Sequence, residues 1–210
     1  MISTYADLKT AVANWLDRED ISARIPEFIQ LAEQRIFQSV RCREMESATT
    51  ITASITTGFH TGTLSASVMQ IRRAYISGAA YSQLEYRNPV AFYRNYAGLA
   101  QATNPRYYTI EGLLFITAPG TAASKTILID AYKKLAHLSA DADTNLLLTR
   151  SGGLYLYGAL IEASPFLGND PRILTWTAMW DDIREKVMAA DQYSQYSGDV
   201  KPKPSDIHIR

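Results

Sequence analysis

Cysteine is almost missing from this chain. Cys42 is the single one among 210 residues, so no internal disulfide can form, and a reducing or redox-indifferent compartment is expected. Histidine is sparse as well, and His60, His137 and His208 share no ligand-like spacing; no metal or cofactor site is expected. Neither sign of charge is in excess, with 21 basic against 21 acidic residues. That balance gives no reason for avid binding to a polyanion or an anionic membrane. Long apolar runs are lacking too. The greasiest stretch, from Leu154 to Ile161, contains Gly158 and falls far short of the roughly 20 residues a membrane helix needs. The start, Met-Ile-Ser-Thr-Tyr-Ala-Asp, has neither a basic n-region nor a long apolar h-region, so no secretory signal is expected. What is present is ordinary: 47% apolar and 20% charged residues, the composition of a globular chain. At this length about 70% of the unfolded surface can be removed from water.

The N-terminal region reads as helical. Thr4 followed by Asp7 resembles a capping box, and Leu8, Val12, Trp15 and Leu16 then recur at helical spacing up to Asp17. After the polar break at residues 17–20, Pro26 suits the first turn of a second helix with Ile29, Ala32, Ile36 and Val40 as its stripe. The two are expected to pack as an antiparallel hairpin.

From Ala48 the pattern changes. Thr49 to Thr57 is dense in Thr and Ile and alternates, as a half-buried strand does. Gly58, Gly62, Gly78, Asn88-Pro89, Asn104-Pro105, Gly112 and Pro119-Gly120 then divide the chain into short pieces, the turn chemistry of a small sandwich or barrel. Further strands are predicted at Gln70–Ser77, Tyr81–Tyr86, Arg106–Glu111, Leu113–Ala118 and Thr126–Lys133, with a tight hairpin at Glu111-Gly112. Asn88 and Pro89 start a short helix running toward Tyr96.

Helical periodicity returns beyond Leu135. Leu146 to Ala163 is apolar on most faces, as befits a central helix, and Ser164-Pro165 is expected to end it. A last helix is predicted with Asp170 as cap and Pro171 in its first turn. Ile173, Trp176, Trp180, Ile183, Val187 and Ala190 form its seam, and Asp182 and Lys186 an ion pair on its wet face. The fold class is therefore α+β: a helical bundle (N-terminal hairpin, residues 1–47, plus two C-terminal helices, 136–196), an inserted β-rich sandwich or barrel-like part (48–135), and an extended C-terminal tail (197–210). The tail carries Gly198, Pro202 and Pro204 and no helical pattern; fully extended, its 14 residues reach about 45 Å. Asp206-Ile207-His208-Ile209-Arg210 alternates polar with apolar, the pattern of a strand that adds to another chain's sheet edge.

Catalytic signatures are wanting. Ser151-Gly152-Gly153 is not a nucleophile elbow. His60 falls in a glycine-flanked turn, and Cys42 reads as a buried or incidental thiol. The run Asp141-Ala142-Asp143-Thr144-Asn145 begins like a calcium loop. Its sixth position is Leu146 where Gly is needed and its twelfth is Gly152 where Glu is needed, so a polar helix cap explains it better. An enzymatic reading would have to use carboxylates such as Glu27 and Glu33 or Glu44 and Glu46 as acid and base of a hydrolase. A nucleic-acid reading would use Arg72, Arg73, Arg87, Arg94 and Arg106 interleaved with Tyr75, Tyr86, Tyr93, Tyr96, Tyr107 and Tyr108. Such alternation is equally that of two-faced strands, and 13 tyrosines suit protein contacts.

Taken together, the segments Tyr5–Asp20, Ile25–Ile36 and Leu154–Ala163, the tryptophan-bearing final helix and the loose C-terminal arm resemble the head-to-tail adaptor (connector) proteins of tailed bacteriophages, the short-tailed type above all. The resemblance spans nearly the whole chain. It implies a non-enzymatic virion protein at the head–tail junction, assembled in the host bacterial cytoplasm as a ring of twelve copies beneath the portal. It further implies that the ring extends the DNA channel, lets DNA pass without specific binding, and forms a platform for the tail nozzle or fibres, with no membrane partner. The family's C-terminal segment extends along the portal, which maps a portal-binding role onto Lys201, Pro202, Lys203, Pro204, Ile207, His208, Ile209 and Arg210.

Overall fold

A computed structural model describes residues 1–18, 20–56, 59–78, 83–96, 102–168 and 170–195. In chain order these form α1 (Tyr5–Leu16), α2 (Ile25–Ser39), β1 (Glu46–Thr56), β2 (Phe59–Thr63), β3 (Val68–Ile76), β4 (Glu85–Tyr86), α3 (Pro89–Tyr96), β5 (Tyr107–Glu111), β6 (Leu114–Ala118), β7 (Lys125–Lys133), α4 (Leu146–Leu167) and α5 (Ile173–Gln195). The architecture is α+β, with helical and β parts both present. Two compact units result: a helical one built from Met1–Arg43 and the chain from Ala136 on, and a β unit, Glu44–Leu135, inserted between them in sequence.

In the helical unit α1 opens with a full capping box. The Thr4 side chain accepts the Asp7 N–H, and the Asp7 carboxylate accepts the Thr4 N–H. Leu8, Val12 and Leu16 are buried, whereas Trp15 of the expected stripe lies at its margin, edge-on to Tyr157 at 5.5 Å. The helix ends at Asp17 in the left-handed conformation, φ 52°. α2 buries Phe28, Ile29, Ala32 and Ile36, the face its periodicity predicts. Contact between α1 and α2 is slight; each packs more broadly on α4. The hairpin is therefore held by the central helix more than by its own two faces.

α4 starts at Leu146 as expected but departs from its outline at a kink near that start and at its C-terminal end. It continues through Pro165 and stops at Gly168, φ 59°. Proline's missing N–H is outweighed there by packing, since Phe166 sits 5.2 Å from Phe28 and beneath the Arg24 guanidinium. Near its start the helix is kinked at Ser151, φ −138° and ψ 50°. Gly158 explains why it can be central: a Cβ there would lie 3.0 Å from that of Ala32 and 3.4 Å from Trp180 Nε1. Glycine there lets α2 and α5 approach the same point of α4 without pushing either away. α5 begins at Ile173, later than its predicted cap. Asp170 Oδ1 accepts the Arg172 N–H at 2.9 Å within a turn, which leaves Pro171 outside the helix. Trp176 and Trp180 are buried, Ile183 and Val187 half-buried, and Ala190, the last residue of the expected seam, is exposed.

The β unit is one seven-stranded sheet of order β3-β7-β1-β2-β6-β5-β4. All neighbours are antiparallel except β4 and β5. It curls until its ends meet: Tyr75 bridges Gln83, and the Leu84 N–H reaches the Ala74 carbonyl at 2.8 Å. The result is a nearly closed barrel around Ile51, Ala53, Leu64, Ala74, Ile76, Tyr108, Phe115, Ile127 and Ile129. β5 and β6 form a hairpin with the loop Gly112-Leu113, where Gly112 has φ 60°. Outside, α3 is capped by the Asn88 side chain, which accepts the Val90 N–H at 3.0 Å. It lays Phe92 and Tyr96 on a second apolar cluster with Ile116, Ala118 and Phe59.

Two expectations are corrected here. β2 was not foreseen, because Gly62 reads as a turn residue; it is instead an inward strand position whose added Cβ would lie 2.2 Å from Ile51 Cγ2. The predicted strand Tyr81–Tyr86 reduces to Glu85–Tyr86, with residues 81 and 82 outside the described residues. Thr57, Gly58 and the whole expected tail, 197–210, also lie outside them.

Candidate interaction surfaces

The polar residues singled out by sequence are mostly engaged in holding the fold. His60 is not in a turn but fully buried in β2. Its Nε2 accepts the Thr121 N–H at 2.9 Å, and Nδ1 lies 3.3 Å from the Ala53 carbonyl. These contacts suit the tautomer with the proton on Nδ1. His137 lies at the return into the helical unit, where its Nδ1 contacts the buried carboxylate of Glu33; the other Glu33 oxygen accepts the Leu138 N–H at 3.1 Å. Burial pushes the Glu33 carboxyl above its ordinary range, against the pull of these partners. Cys42 is fully buried.

The calcium-like run is a capping device. Asp143 Oδ2 accepts N–H groups of Ala140 at 2.7 Å and Ser139 at 2.8 Å. These bonds hold its carboxyl below the ordinary range. The carbonyls of Asp143 and Asp141 in turn accept the Tyr5 and Ala6 N–H groups at 2.9 and 3.1 Å, so this loop also closes the open first turn of α1. Asn145 then caps α4, accepting the Leu148 N–H at 2.8 Å. Among the described residues no group of three or more His, Cys, Asp or Glu could hold a metal ion.

The carboxylates considered for hydrolysis are not assembled into an acid–base pair. Glu27 is exposed and pairs with Arg24 at 3.5 Å, whereas Glu33 is buried. Glu46 pairs with Arg72 across the barrel surface. The basic and aromatic residues are similarly committed. Arg73 bonds Asp130 at 2.7 Å, and Arg87 bonds Glu85 at 2.8 Å while lying over Tyr107. Arg72 covers Tyr132 as well as meeting Glu46. Arg94 and Arg106 are exposed, but a phosphate-tracking groove needs cations that are free to exchange counterions, and three of the five arginines already have carboxylate partners.

Apolar surface is what the two units leave open. On the helical unit, Trp15, Leu31, Phe166, Met179 and Leu174, the last 81% accessible, are exposed. The β unit exposes Tyr86, Leu113, Leu114 and Val90. Its barrel also has an unfinished seam. Between the Leu64 N–H···Leu113 carbonyl bond at 2.8 Å and the Leu84–Ala74 bond, the outer edge of β3 has no strand partner among the described residues. A slot of about 550 Å³ runs there, lined by Val68–Arg72 on one lip and Tyr86, Tyr108 and Ile110 on the other.

A family model for the SU10 adaptor protein matches residues 3–203. The chain belongs to the SU10 adaptor protein family. It is thus a phage structural adaptor, of the head-to-tail connector kind that the sequence resemblance indicated. No curated protein matches it. For a member of this family, the sequence assignment of portal binding to Lys201, Pro202, Lys203, Pro204, Ile207, His208, Ile209 and Arg210 falls on residues outside those described. Sequence reasoning missed the Glu33–His137 contact and the barrel seam. A lone glutamate on the apolar side of the α2 pattern signals the first; nothing local signals the second, which depends on how far a sheet curls. No helix of the described residues is long and apolar enough to cross a membrane.

Proposed function

We propose that this adaptor works in the virion as a ring of twelve copies beneath the portal, continuing the DNA channel and presenting a platform to the tail nozzle or fibres. The family match over residues 3–203 carries this reading. The surface supports it. A heterologous contact, in which one face of a copy meets a different face of the next, closes into a ring when the rotation fits, and each unit offers exposed apolar side chains to such contacts. The formal net charge of zero suits a conduit, because a basic lumen would retain DNA that has to slide. The protein acts by binding the portal and tail proteins and itself, not by catalysis; the dispersed and individually partnered carboxylates favour no second reading.

Assembly state tests this directly. Native mass spectrometry of the free chain is expected to give a monomer, and the same chain mixed with portal is expected to give a ring stoichiometric with it. A stable free dimer that ignores portal would contradict the proposal.

A further inference from the structure

The chain leaves the β unit between two fixed points. The Lys134 N–H is still bound to the Ser67 carbonyl at 2.8 Å, and the helical unit resumes at Ala136. One side chain of α2 catches it there. Glu33 is only 2% exposed, one of its oxygens contacts His137 Nδ1, and the other accepts the Leu138 N–H at 3.1 Å. Between the barrel anchor and this one lie Leu135 and Ala136. From Leu138 the segment runs on as a strap. The Asp143 and Asp141 carbonyls accept the Tyr5 and Ala6 N–H groups, the Thr144 hydroxyl donates to the Ser3 carbonyl at 2.6 Å, Lys9 pairs with Asp141 at 2.5 Å, and Asn145 caps α4. Residues 137–145 thus tie α2, α1 and α4 together, with the buried carboxyl of Glu33 at the head of the strap.

A carboxylate in such a place persists only while its charge is balanced or removed. The titratable groups acting on or beside it are Tyr5 from α1, Tyr155 from α4 and His137 from the strap; Asp143 acts on His137 in turn, and Cys42 on Tyr155. Burial raises both tyrosines, which keeps them neutral hydroxyls. Of the groups facing Glu33, His137 alone can become a cation. One proton therefore sets the charge of the site. On Glu33 it lets the acid donate to Nδ1, and on His137 it lets the imidazolium donate to the carboxylate; either way the pair is neutral overall and keeps its hydrogen bond. Without that proton a neutral imidazole faces a buried anion. Burial raises the Glu33 carboxyl although its partners pull the other way, so the proton is held to higher pH than on an exposed glutamate. The half-exposed His137 side chain gives it a path to water.

We infer that Glu33 and His137 form a proton-operated catch on this strap, closed while the pair holds its proton and open once the proton leaves to solvent. Opening frees residues 137–140 from α2, and the next anchor is the Asp141 carbonyl on Ala6. The free connection to the β unit then grows from residues 135–136 to residues 135–140. A longer tether allows a wider range of orientations, so acidity sets how tightly the β unit is leashed. The catch works within one chain, and its test stands apart from assembly of the ring.

Amide hydrogen exchange on the intact chain reads such local opening. Rates are taken as protection factors, which removes the pH dependence of intrinsic exchange. From about pH 5 to about pH 9, protection of the Leu138 amide is expected to fall at least tenfold, whereas Tyr5, Ala6 and Ile129 change less than threefold. The Glu33→Gln variant keeps an acceptor for Leu138 and cannot ionise, so its Leu138 protection is expected to stay within threefold over the same range. Unchanged Leu138 protection in the native chain, an equal fall in Glu33→Gln, or a fall shared by Tyr5, Ala6 and Ile129 would each overturn the catch.

Discussion

At the scale of single residues, the sharpest constraint is Gly62. Its hydrogen faces Ile51 Cγ2, and any side chain there must displace it. Gly62→Ala is expected to lower stability by about 1–3 kcal/mol, the usual cost of overpacking, read from urea denaturation. Adding Ile51→Ala makes room, so the double variant should be more stable than the sum of the two single losses; strict additivity would show that the two side chains do not compete. Titration divides the buried and capping carboxylates by sign. Hydrogen bonds from the Ser3 backbone and side chain and from Thr4 hold the Asp7 carboxyl below its ordinary 3.8, and those from Ala140 and Ser139 do the same for Asp143. Their contribution is present above that value and is lost as pH falls through the depressed folded-state values. Glu33 runs oppositely: burial raises its carboxyl above 4.5, so protonation favours the fold and its contribution fades as pH rises through the raised value. Glu33→Gln should therefore flatten the decline in stability on the alkaline side of 4.5, and Asp7→Asn the acid-side loss. Parallel pH–stability curves for wild type and both variants would contradict this.

Elements show which parts of the fold are legible in sequence. Those defined by local chemistry are: the Thr4–Asp7 box, Pro26 in the first turn of α2 and Asn88 before α3 stand where the pattern puts them, and the hairpin expected at Glu111-Gly112 turns one residue later, at Gly112-Leu113. Elements that rely on distant packing are displaced. α4 runs through Pro165 because Phe28 and Arg24 hold Phe166, and neither lies within 130 residues of it in the chain by any local pattern. β2 was hidden because a glycine that permits close approach inside a barrel looks the same as one that permits a turn. The barrel seam was not legible in the sequence, since it exists only once seven strands have curled together, and the alternating tail lies outside the described residues. α3 gives a test at this scale. Phe92 is fully buried between the helix and the outer face of β2, β5 and β6. Phe92→Ala is expected to cost about 3–5 kcal/mol. Hydrogen exchange should show protection lost across Pro89–Tyr96 before the β1–β7 ladder; simultaneous loss in both would mean that α3 and the barrel form one cooperative unit.

For the whole molecule, the observations converge on a chain that works through protein contacts. The charges considered for DNA binding are largely paired, and the carboxylates considered for catalysis have separate structural partners. Exposed leucines, tryptophan and tyrosines remain on both units. A family of phage adaptors supplies the setting in which such surfaces have partners. The most direct test is a cryo-electron-microscopy reconstruction of the intact phage particle into which the two units are fitted separately. Both are expected in one ring between portal and tail, enclosing the DNA channel; finding the chain in the capsid shell, or nowhere in the particle, would contradict the account.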